Sequence, residues 1–191
     1  MKNVLLLLAN GFEFVEASVF IDVIGWNMID GDQNTKLYTC GFQKEVPSAF
    51  NHKVVVDYLI SEVDCSMFDA LAIPGGFEVF HFYDFAYNEQ FLDIIRKCNA
   101  ENKIIASVCV GALPLAKSGI LQAKKATTYN SEIRRKTLQD FGAHVLHQPI
   151  VIDDNIITSW NPATAFDVAF LLLEKLTTKQ NSDTIKSLMG F

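Results

Sequence analysis

Polar residues are nearly missing from several short stretches of this chain: "NVLLLLA" near the start, "ALAI" within "DALAIPGG", and "IIASV" just before Cys109. A strand with one wet face alternates polar and apolar residues, so unbroken apolar runs belong to strands covered on both sides. Helix punctuation marks the segments between them. One helix is expected from Glu13 to about Ile29, stopped at Gly31, and another from the cap residue Asn88 to about Asn99. Ser131 caps a third, running to Phe141 before Gly142, and Asn161-Pro162 opens a fourth that lasts to about Thr177. "TKLYTCG" reads as a further strand, "KVVVDYL" as a small antiparallel excursion, "KATTY" as a short strand, and "PIVIDDNIITSW" as two strands around a hairpin turn. This alternation specifies an α/β fold with a mostly parallel sheet and helices on both faces. Half of the 191 residues are apolar and no linker or repeat divides them, so one domain spanning 1–191 is expected, its tail (180–191) a docked helix.

The stretch "KIIASVCVGALPLAKSGIL" places Cys109 where a buried strand, Lys103 to Val108, gives way to a helix, Val110 to Ser118. A junction this short turns sharply and lifts its apex residue out of the sheet, the arrangement of a nucleophile elbow, here carrying sulfur. At a helix start the free N–H groups and dipole favour the Cys109 thiolate. Ligands of such sheets bind at the carboxyl ends of the strands. Three of those ends are Asn10 to Glu16, Pro74 to Gly76, and Cys109 to Gly111. Gly75 and Gly76 let backbone amides approach closely and, with the Val110 N–H, can form an oxyanion site. Glu16, in the first turn of its helix, is the candidate acid or base. Asn10 and His81 are candidate pocket residues, and the aromatics of "FEVFHFYDFAY" a candidate apolar wall.

Other classes of function are disfavoured. A net charge of −6 argues against nucleic acid, and Lys124-Lys125 and Arg134-Arg135-Lys136 read as solvated surface. His144 and His147 alternate to opposite faces of an extended segment, so no metal site is expected, and no phosphate-binding loop points to a cofactor. The first apolar run is too short to span a bilayer, and no membrane partner is expected. Four widely spaced cysteines without a C-x-x-C fit reduced thiols in a cytoplasmic protein.

"NGFEFVEA", "AIPGG" and "ASVCVGALPLAKSGIL", followed by "ATTY", resemble the ThiJ/PfpI (DJ-one/PfpI) family of the class I glutamine amidotransferase-like superfamily, over nearly the whole chain. The resemblance implies a flavodoxin-like three-layer sandwich, a homodimer, a reactive Cys109, and a protonated Glu16 hydrogen-bonded to it. It implies a small carbonyl compound as substrate, through glyoxalase- or deglycase-like chemistry. Peptidase, amidase or isonitrile-hydrating activity, and oxidative-stress sensing or chaperoning through Cys109 oxidation, also occur in the family. Where members with a Cys-His pair carry histidine, this chain has Tyr129, a pocket candidate whose phenol makes a poor base near neutral pH. A peptidase reading is weakened accordingly.

Overall fold

The computed structural model describes residues 1–191. The chain opens with β1 (Lys2–Leu8), α1 (Phe14–Asp30) and β2 (Thr35–Gly41), then forms a hairpin of β3 (Glu45–Pro47) and β4 (Lys53–Val55). Next come β5 (Tyr58–Leu59), β6 (Ala70–Ile73), α2 (Phe82–Ala86), α3 (Glu89–Ala100), β7 (Ile104–Ser107) and α4 (Ala112–Lys117). After β8 (Lys125–Ala126), α5 (Glu132–Asp140) and β9 (His144–Val145) follow β10 (Ile150–Asp153), β11 (Ile156–Ser159), α6 (Ala165–Leu176) and α7 (Lys179–Leu188).

Seven strands form the main sheet in the order β10-β11-β7-β6-β1-β2-β5, parallel throughout except where β10 meets β11. The uninterrupted apolar runs lie at its centre: Val4 to Leu8, Ala70 to Ile73, and Ile105-Ala106 are fully buried. Layers of helix make that possible, with α1, α6 and α7 packed together and α3, α4 and α5 forming a second group. The result is a flavodoxin-like sandwich. No helix is long and apolar enough to cross a membrane.

Four expectations change in detail. The antiparallel excursion is the β3–β4 hairpin alone, because Tyr58-Leu59 joins the parallel sheet as its edge strand beside β2. "KATTY" contributes only Lys125 and Ala126 as strand. The helix after Cys109 begins as a 3-10 turn over Cys109–Gly111 before α4 proper. Strand geometry ends at Val145, so alternation does not carry on to residue 147, and His144 and His147 line one surface cleft together. No group of metal-binding side chains forms there or elsewhere.

Candidate active site

The sheet order sets β6 between β1 and β7, so the loops leaving these three strands adjoin. Backbone hydrogen bonds tie them together: the Glu13 N–H donates to the Gly75 carbonyl (2.8 Å), the Phe77 N–H to Gly11 (3.0 Å), and the Val108 N–H to Ile73 (3.2 Å). Cys109 stands at the apex of its loop with φ 57°, left-handed backbone that a non-glycine residue adopts at a cost of order 1–3 kcal/mol. Its neighbours hold it there. The Thr128 hydroxyl donates to the Cys109 carbonyl (3.0 Å), and a Cβ on Gly111 would sit 2.7 Å from the Ile73 carbonyl oxygen. Only glycine lets the elbow lie this close to β6.

Glu16 is fully buried in the first turn of α1, where its Oε2 accepts the Gly75 N–H at 2.7 Å. A Cβ placed on Gly75 would lie 2.8 Å from that oxygen, 2.9 Å from Cys109 Cβ and 3.0 Å from the Val110 nitrogen. Acid, sulfur-bearing residue and a backbone donor therefore converge on the space above one glycine. Burial raises the Glu16 carboxyl to about 8; the Gly75 N–H and the Cys109 side chain pull it back only in part. At neutral pH the group is mostly a protonated acid. Its second oxygen, Oε1, is buried without a hydrogen-bond partner.

The thiol does not behave as its place at a helix start suggests. Burial pushes Cys109 up, a charged Glu16 pushes it further, and the Val110 N–H opposes them. The physical reason is that the helix behind it is short, one 3-10 turn and six α-helical residues, while the sulfur itself is largely withdrawn from water. At rest the pair is a thiol beside a carboxylic acid.

Gly75 requires a second correction. Its N–H is committed to Glu16, so it positions the acid instead of serving as an oxyanion donor. The Gly76 N–H has no protein partner and the Val110 N–H is directed at the Cys109 sulfur, and both residues line the cavity. They are the available donors. The cavity, about 340 Å³, is walled by Cys109, Glu16, Glu13, Phe77, Tyr83 and Pro162, with Glu78, Arg134 and Tyr129 completing the lining. Tyr129 is about half exposed there. His81 and Asn10 lie elsewhere, on a neighbouring cleft, because the chain turns away after Glu78. His81 adopts left-handed backbone (φ 64°), points into solvent and pairs with Asp84 at 3.0 Å. Phe77 and Tyr83, from the expected aromatic wall, line the cavity, whereas Glu13, Glu78, Pro162 and Arg134 escaped sequence reasoning. The clue available was topological: residues opening the helices after parallel strands lie at the binding edge, and Glu13 and Arg134 hold that position.

The raised carboxyl makes stability depend on pH. In the unfolded chain Glu16 titrates near 4.5, in the fold near 8, so its contribution is complete below about pH 4.5 and is lost as pH rises towards 8. Each unit of difference is worth about 1.4 kcal/mol. Glu16→Gln should therefore flatten the fall in stability between pH 5 and 8 and be more stable than the parent at pH 7.5 by about 1 kcal/mol or more. Urea melts at both pH values check this; parallel slopes would show that the proton resides on another group.

Similarity to known proteins agrees with this architecture. The DJ-1/PfpI family model matches residues 2–175. Protein DJ-1 homolog B of Arabidopsis thaliana is 30% identical over 174 residues, 91% of this chain, but this chain spans only 37% of that protein. Protein DJ-1 homolog A of the same plant is spanned to 46%, so the chain is under half the length of both. Deglycase TK1284 of Thermococcus kodakarensis is 29% identical over 86% of this chain and 93% of its own length. The crystal structure of Drosophila melanogaster DJ-1beta superposes with a TM-score of 0.84 at 25% identity, covering 98% of this chain and 97% of that one. With an elbow cysteine, an acid on the first helix and a family match over nearly all of its length, this chain belongs to the DJ-1/PfpI family.

Proposed function

We propose that this protein is a cysteine-dependent enzyme acting on small carbonyl compounds in a glyoxalase- or deglycase-like reaction. The convergence of Glu16, Cys109 and the Val110 amide above Gly75 carries this reading. In the reaction proposed, the Cys109 sulfur adds to the carbonyl carbon, and the C=O electron pair moves onto oxygen. The thiol proton passes to Glu16, and the proton already on that carboxyl goes to the new alkoxide, so no net charge builds up beside the buried carboxyl. The Gly76 and Val110 N–H groups stabilise the oxygen while it is negative. Relatives named deglycase (Thermococcus kodakarensis, Pyrococcus furiosus) and isonitrile hydratase (Pseudomonas putida) support electrophilic carbon as the common target. Tyr129, at the mouth, offers no base for peptide hydrolysis.

Glu16→Gln should lower kcat/KM for methylglyoxal by roughly 10²-fold or more, the range for loss of a general acid-base group. Unchanged turnover in that variant, measured by methylglyoxal loss, would remove Glu16 from the mechanism.

A second reading, a stress sensor working through reversible Cys109 oxidation, is supported by the same N–H groups beside the sulfur, which suit the oxygen of a sulfenate. Burial of the thiol weighs against it, since peroxide reacts with thiolate. Mass shifts after peroxide treatment, set beside turnover, separate the two. The proposal includes a cytoplasmic setting, in which four unpaired cysteines persist, and association of two copies. One stripe of α1 leaves Phe14, Val15, Ile21 and Trp26 exposed, and light scattering should give twice the monomer mass.

A further inference from the structure

The charged groups around the sulfur do not cancel. Arg134 is the one cation of the lining, and it is already engaged: its Nη2 donates to Glu78 Oε2 at 2.9 Å, and its guanidinium lies over the Tyr83 ring, 5.0 Å from the centroid. Glu16 is mostly neutral below about pH 8. Glu13 is different. It caps α1 with its backbone alone, its side chain making no capping hydrogen bond and no ion pair. Its charge reaches the reacting pair, since it disfavours ionisation of both Glu16 and Cys109. The lining thus carries one carboxylate in excess, in a partly closed space where fields are poorly screened.

We propose that Glu13 is a specificity-determining residue, biasing the Cys109 cavity towards uncharged carbonyl compounds such as α-oxoaldehydes and against oxo acids. The substrate class rests on the function proposed above; the charge bias does not, and it is measured without turnover. The probes are iodoacetamide and iodoacetate, which deliver nearly the same carbon to sulfur, one neutral and one anionic. Cys109 labelling is followed by peptide mass spectrometry, with N-acetylcysteine as the free-thiol reference.

The amide-to-acid rate ratio should exceed that of the free thiol by about tenfold at low salt and shrink in 0.5 M salt. Glu13→Gln should bring the ratio down by threefold or more, with an unchanged melting temperature. Glu78→Gln, which releases Arg134, should act in the same direction, and the double variant should favour iodoacetate relative to the parent. A parent ratio equal to the free thiol's, or a ratio unmoved by Glu13→Gln and by the double variant, overturns the proposal. Methylglyoxal and glyoxylate are then offered as substrates. Turnover of neither overturns the function proposed above while the labelling ratios still judge Glu13; equal use of both overturns the selectivity.

Discussion

Cys109→Ser is expected to lower turnover of methylglyoxal by roughly 10³-fold or more while the protein stays folded. A hydroxyl in the same place is a far weaker nucleophile than a thiol, and it is also a far weaker acid, so it yields its proton to the Glu16 relay much less readily. The fold should tolerate the change. Serine is slightly smaller than cysteine, and the left-handed backbone at this position is imposed by its neighbours, through the Thr128 hydroxyl on the Cys109 carbonyl and the contact of Gly111 with β6. Steady-state kinetics with a thermal melt on the same preparation check both halves. Residual activity above a tenth of the parent would mean that another group attacks the substrate.

Gly75→Ala should be nearly as damaging, for a different reason. Gly75 lies outside the left-handed region, so alanine meets no conformational obstacle. What it lacks is room: the methyl group would sit 2.8 Å from Glu16 Oε2, 2.9 Å from Cys109 Cβ and 3.0 Å from the Val110 nitrogen. None of these is the loose end of a long surface side chain. Something must shift, at a cost of about 1–3 kcal/mol for forced overpacking. Displacing the acid from the sulfur by even about 1 Å is enough to lose roughly 10² in kcat/KM. A variant with a lowered melting point but parental kcat/KM would show that the site tolerates wider spacing than the close contacts imply.

How much of this could be read beforehand depends on distance along the chain. The elbow at Cys109 and the strand ends at Asn10 and Pro74 were legible because apolar runs and their punctuation are local signals. Glu16 could be placed in the first turn of its helix for the same reason. Its hydrogen bond to Gly75 could not, since those residues are 59 positions apart and meet only because β6 lies beside β1. That bond reverses the assignment of Gly75 from donor to spacer. His81 misled because it follows "PGGFEVF" so closely; a 3-10 turn over Glu78–Phe80 and a left-handed residue then swing the side chain outward. Arg134 looked like ordinary helix surface, and in sequence it is. Only its partners, Glu78 and the Tyr83 ring, show that it borders the cavity.

The anchoring of the elbow has a consequence for how such a protein can change. The sulfur and its acid are fixed by main-chain bonds among the ends of β1, β6 and β7, whereas Tyr83, Tyr129 and Arg134 come from segments outside those strands. Machinery and doorway are thus separately upholstered. Exchanges at the doorway can retune which molecules enter while leaving the reactive centre undisturbed, so one scaffold can diversify its appetite without rebuilding its engine.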